Sequence, residues 1–210
     1  MRELSGSEFD ELSAASRYGG FQQTSEMAAL AQSDGMQTQY VGLVDSHDAP
    51  VAGALVAFSQ GRFGVEGSLW LGPLCNGNDG EQMTALTDGL REVAERVHAI
   101  SLTCWPNQVY CVRDSQGKVM AEPNDEMVRE YERLGWKHAG FARGYGALMN
   151  RWNYVKDLRE FSNAGELLAS YAKNTRRNVK IARNSGVEVR RLNRSELNVF
   201  HDICELSSER

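Results

Sequence analysis

Lys173, Arg176, Arg177, Lys180 and Arg183 crowd the stretch YAKNTRRNVKIARNSGV, residues 171–187, with no acid among them. The whole chain is acidic, with a formal net charge of −5. A local excess of cations in an acidic chain has two readings. It is a solvated helix face, favoured near a helix C-terminus by the dipole, or it holds an anion such as a phosphate. Arginine suits the second role because its planar fork offers paired donors and stays charged. The hydroxyl of Thr175 adds a neutral donor close by in the chain.

On a helical wheel with Lys173 at zero, Arg176, Arg177 and Lys180 fall within about 60° and Arg183 about 80° away. Leu168, Tyr171, Ala172, Thr175, Val179 and Ala182 take the other side, so the spacing predicts one amphipathic helix from Ala164 to Ser185. Gly186 is placed to end it. Other chemistries leave no pattern. His47, His98, His138 and His201 are dispersed, and no Ser/His/Asp or Cys/His arrangement signals a covalent intermediate. Cys75, Cys104, Cys111 and Cys204 lack metal-ligand spacing, so no zinc is expected and free thiols in a reducing cytosol are. Trp105 and Tyr110 are placed to line a cleft at the end of a strand or to pack in the core, and Asn76 and Asn78 read as turn residues.

The elements that must position these residues follow from pattern. Residues 5–16 read as a helix capped by Ser7, and Thr24 caps a second with Met27, Leu30 and Ala31 on its inner face. TQYVGLVD and VAGALVAFS flank a Pro/Asp turn as a hairpin, and GVEGSLWLGPL follows as a third strand. Met83, Leu86, Leu90, Val93 and Val97 recur at helical spacing, and AISLTCW is a strand stopped by Pro106. Asn124 caps a helix that Gly135 ends. WKHAGFARG and YGALMNRWNYVKDL read as two more strands, VEVRRL as another, and Ser195 begins a last helix. This order implies layered α/β architecture.

With 41% hydrophobic and 24% charged residues the composition is that of a globular protein. No apolar run approaches the ~18 residues of a membrane span, and the start lacks a secretory pattern, so a cytoplasmic location is expected. Residues 1–150 hold 11 Lys/Arg against 20 Asp/Glu, and residues 151–210 hold 12 against 8. The first part is therefore unsuited to nonspecific nucleic-acid binding, while the second leaves room for a phosphate contact.

Several stretches in order resemble the Fem family of peptidoglycan-bridge aminoacyltransferases: FQQT (21–24), QYVGLVD (39–45), WLGPLCNGND (70–79), MVREYERLGWKHAGFARGY (127–145), NTRRNVKIARNSGVEVRRL (174–192) and SELNVFHDICELSSER (195–210). The resemblance implies two acetyltransferase-like (GNAT-like) subdomains, here residues 1–155 and the start of a second at 156–210. It implies transfer of an amino acid from aminoacyl-tRNA, without a cofactor, to the stem peptide of a UDP-linked or lipid-linked muropeptide. Arg177 then contacts the acceptor's pyrophosphate and Thr175 adds a hydroxyl contact. Ala31 stands where the family commonly has a phosphate-directed lysine, and Trp105 where it often has an acid. The oxyanion donors are expected beyond the present residues, making this chain an N-terminal portion inactive by itself. Two other readings are an acyl-CoA N-acyltransferase, for which no Gly-rich pyrophosphate loop is present, and a tRNA-binding module that grips phosphates with the basic helix.

Overall fold

The computed structural model describes residues 1–75, 80–141 and 153–208, so Asn76 and Asn78 lie outside the described residues. The chain divides into two units, Met1–Phe141 and Ala142–Arg210.

The first unit is built around β3 (Pro50–Gln60), whose residues 52–58 are buried on both faces. Strand side chains alternate, and here the two sets meet different helices. Ala52, Ala54, Val56 and Phe58 pack with Met83, Leu86, Leu90 and Val93 of α3 (Gly80–Arg96). Leu55 packs with Phe9 of α1 (Gly6–Ala15) and Ala28 of α2 (Ser25–Ser33). The unit is thus three layers, with helices on both sides of one sheet. The sheet runs β1 (Arg2–Glu3), β2 (Gln37–Val44), β3, β4 (Val65–Leu69), β5 (Ala99–Cys104). Its pairs are antiparallel except β4–β5, which is parallel and bridged by α3.

Caps set the helix starts. Ser5, not Ser7, caps α1: Glu8 N–H donates to Ser5 Oγ at 3.3 Å and Ser5 N–H to Glu8 Oε2 at 2.8 Å, a reciprocal box. The glutamate three residues on is what favours Ser5. Thr24 caps α2 as expected, but Leu30 points to solvent and Ala28 takes its place in the core. Asn124 accepts from Met127 N–H at 3.2 Å to start α4 (Asp125–Arg133). Gly135 follows with φ +88°, a left-handed residue just past the helix end. Tyr131, Leu134 and Trp136 of this region pack on the α3 side of the core.

The second unit departs most from its sequence pattern. The expected helix 164–185 is two helices, α5 (Ala164–Ser170) and α6 (Lys173–Asn184), because Tyr171 and Ala172 are extended, with ψ of 156° and 153°. The Tyr171 ring is held by the Lys156 ammonium, 5.7 Å from its centroid. Of the expected strands, residues 136–141 at the end of the first unit form none, residues 142–152 lie outside the described residues, and in the second unit neither residues 153–157 nor VEVRRL forms one. A strand needs a ladder partner, and the described residues of this unit supply none. Asn193, not Ser195, opens the last helical segment: its N–H donates to Glu196 Oε2 at 3.0 Å, ahead of α7 (Leu197–Ser208). None of the unit's described residues is buried, and Leu197, Phe200 and Ile203 are more than half exposed.

Candidate functional site

Because β4 and β5 are parallel, their carboxyl ends point the same way, the position where open α/β sheets bind ligands. Trp105 continues the ladder, its N–H donating to Leu69 C=O at 3.2 Å. The chain then leaves the sheet through Pro106, and its next residues are tied down on both sides. Asn107 Nδ2 donates to Tyr18 C=O at 3.1 Å, and Asn124 N–H donates to Tyr110 C=O at 2.8 Å. Trp105 and Tyr110, singled out by sequence, both fall on this half-buried segment at the strand's carboxyl end.

Gln23 anchors the opposite side. Wholly buried, it accepts from Leu55 N–H at 3.0 Å and donates to Trp70 C=O at 2.8 Å. It stands in for a strand residue beside β3, between the β4 ladder and the isolated Gly53–Leu74 bridge. Gly72 makes room for it, since a Cβ there would lie 2.8 Å from the Gln23 carbonyl oxygen. Leaving those backbone groups unpaired would cost about 1–3 kcal/mol each.

Three groups here are held in their neutral forms, a thiol and two phenols. Burial pushes the Cys104 thiol up to about 12, so it is not a thiolate at neutral pH. Burial likewise raises the Tyr131 phenol. The Tyr110 hydroxyl donates to Asp125 Oδ1 at 2.6 Å, which raises its own pKa. Its ring lies 4.5 Å from that of Phe141, which meets His138 at 4.8 Å. This corner therefore offers hydrogen bonds and aromatic faces, suited to holding a ligand. Two polar side chains at or near it were not anticipated. Both amide atoms of Gln108 and the hydroxyl of Tyr131 are occluded without a hydrogen-bond partner among the described residues.

In the second unit, Thr175 and Arg177 are exposed on α6. Two residues apart on a helix, their side chains diverge by about 160°, so the helix does not bring them onto one face. The arginines are not equivalent. Arg176 Nη1 donates to Ala169 C=O at 2.8 Å, closing the end of α5, instead of standing free as the charge pattern suggests. Arg177 makes no hydrogen bond or ion pair with a described residue. At the start of α6, Ala172 gives no side-chain cap, and no acid sits in the first turn. The first N–H groups, including that of Thr175, thus stay open at the positive end of the helix dipole. In the first unit Ala31 is 2% exposed, a core position. Its neighbour Gln32 donates to Thr38 Oγ1 at 2.7 Å. Exposed His201, Asp202 and Glu205 bring one ligand atom each within 4.8 Å of one another on α7.

The family model described as FemAB family matches residues 4–210. The chain belongs to the FemAB family. The FemAB resemblance extends to curated relatives named aminoacyltransferase FemA. The one from Staphylococcus epidermidis is 24% identical over 98% of this chain and 50% of its own length. One from Staphylococcus aureus is 23% identical over the same shares. A crystal structure of FemX superposes with a TM-score of 0.77 at 19% identity, covering 100% of this chain and 50% of that one. The chain thus spans about half the length of the FemAB relatives it matches, and the layered α/β fold is theirs.

Proposed function

We propose that this chain binds the acceptor in an aminoacyltransferase that moves an amino acid from aminoacyl-tRNA to the stem peptide of a peptidoglycan precursor. The family match along 4–210 carries this reading. The uncommitted Arg177 guanidinium and the uncapped start of α6 support it, since both favour an anionic group. Arg177 is assigned to the acceptor's pyrophosphate. Thr175 contributes through its N–H at the helix start rather than by a side chain sharing Arg177's face. Trp105 and Tyr110, considered within the first unit alone, are assigned to lining a cleft at the carboxyl end of β5.

In the reaction, the acceptor amine attacks the ester carbonyl of the aminoacyl-tRNA. A C–N bond forms, the C–O bond to the ribose breaks, and the proton lost by the amine is balanced by one taken up at the departing ribose oxygen, leaving a free hydroxyl. The ester is already activated, so positioning carries much of the rate and no cofactor is required. With tRNA as donor, the setting is the cytoplasm. No helix among the described residues is long and apolar enough to cross a membrane, and a lipid-linked acceptor would bring the protein to the membrane surface.

Thermal denaturation with candidate ligands tests the reading. A UDP-linked muropeptide raises Tm in a concentration-dependent way. Stabilisation by acetyl-CoA alone would instead mark an acyl-CoA transferase. Salt-sensitive tRNA binding without a muropeptide effect would mark an RNA-binding module.

A further inference from the structure

Within the second unit, α6 carries a row of cations that nothing neutralises. Lys173, Arg177, Lys180 and Arg183 are exposed, and their side chains make no ion pair or hydrogen bond among the described residues. The helix KNTRRNVKIARN has no acid of its own. The unit does use acids elsewhere, Asp157 on Arg159 and Glu196 on Arg190. Counted from Lys173 at 100° per residue, Lys180 lies about 20° and Arg183 about 80° to one side, and Arg177 about 40° to the other. From Lys173 to Arg183 the row is about 15 Å long, at 1.5 Å per residue. Like charges one turn apart destabilise the helix that bears them, so the row calls for an anion that spans it.

The length of the row selects the anion. The two phosphates of a pyrophosphate share one oxygen, so the acceptor can meet one turn of α6 but not both ends of the row. A nucleic-acid strand can. It carries one charge about every 3.4 Å of axis, so about four phosphates fall within about 15 Å. The chain as a whole is acidic, which repels a polyanion elsewhere and confines it to this patch. A basic helix can also lie on an anionic membrane, but that mode needs large apolar residues gathered on the opposite face. The large apolar residues of α6 are Val179 and Ile181, and two residues apart they point about 160° away from each other. We infer that Lys173, Lys180 and Arg183 contact backbone phosphates of the tRNA donor, leaving Arg177, on the other flank of the row, to the acceptor. This rests on the aminoacyl-transfer reading above, which supplies RNA as the strand, and adds where on this chain the donor is held.

Fluorescence anisotropy of a labelled tRNA transcript, titrated with the chain across a potassium chloride series, tests it. Each phosphate contact contributes about 0.7–0.9 to the slope of log Kd against log salt. The double variant Lys180→Ala, Arg183→Ala therefore binds tRNA at least tenfold more weakly at low salt, with a slope smaller by about 1.5. Alanine is the best helix former, so α6 is not weakened by the change, and an unaltered circular dichroism spectrum checks this. Arg159→Ala removes a cation already paired with Asp157 and outside α6, and binds tRNA as the parent does. UDP-linked muropeptide binds the double variant and the parent alike. Equal tRNA affinity and slope in the parent and the double variant overturn this inference and leave the acceptor reading standing. Binding of phosphatidylglycerol vesicles through Lys180 and Arg183, without tRNA binding, also overturns it and turns the row toward a membrane. Absence of muropeptide binding to the parent removes the acceptor reading, while the tRNA titrations still decide this inference.

Discussion

Two arginines side by side, Arg176 and Arg177, do different work. The first closes the end of α5 and the second is free to meet a ligand. Replacing Arg177 by alanine is therefore expected to weaken muropeptide binding by about 1.5 kcal/mol or more, the value of a charge-assisted hydrogen bond, with Tm unchanged; calorimetric titration reads the first and thermal denaturation the second. Composition located this stripe and the family resemblance selected Arg177, but neither gave Arg176 its partner, since the Ala169 carbonyl is open to it only once α5 ends where it does. Gln108 and Tyr131 were illegible for a related reason. Gln108 lies outside any helix or strand and carries no periodicity, Tyr131 lies on α4, and the occlusion of either side chain depends on segments distant in sequence. At the other end of the chain, bonds from Arg2, first, and from Ser5 lower Glu8 from the ordinary glutamate value of 4.5 to about 2. The folded value lies below the unfolded one, so the contribution is present above about pH 4.5 and is lost as pH falls toward 2. Glu8→Gln should accordingly be less stable than the parent at neutral pH, with the gap closing across that window in urea titrations.

At the scale of elements, the strands and helices of the first unit were largely legible. Period-two and period-3.6 patterns pick out β3 and α3, because each buries a face against a layer that is present. The same patterns misled in residues 153–208, where VEVRRL alternates with no strand beside it and the 164–185 wheel runs through a break at Tyr171. Periodicity records a preference for burial, and an element forms only when something supplies the burial. Gln23 joins elements in a way no pattern announces. Gln23→Leu should destabilise by roughly 3 kcal/mol or more, since Leu55 N–H and Trp70 C=O lose their partner; urea unfolding followed by tryptophan fluorescence measures it. The uncapped start of α6 gives the opposite test. Ala172 already has the extended φ and ψ of a cap, −58° and 153°, so Ala172→Ser should stabilise α6 by about 1 kcal/mol. Slower amide exchange across 176–184 is the readout.

Across the whole molecule, the described residues fall into a unit with a two-sided core and a unit with none buried. Local stability follows burial. Hydrogen exchange is expected to be slowest in β3 and α3 and fast throughout 153–208; equal protection in both units would contradict this picture. Sequence charge had drawn a similar division, an acidic first part and a basic second one, although charge says nothing of how well either part is packed. The two-sided burial of β3 has a consequence for how the chain is made. On a ribosome α1 and α2 emerge before β3 and can cover Leu55 at once, but the face carrying Ala52, Ala54, Val56 and Phe58 waits for α3. For that interval the nascent chain displays a charge-free, β-prone segment of the kind that associates with its neighbours. The most solidly buried strand of the finished protein is thus its most exposed hazard during synthesis.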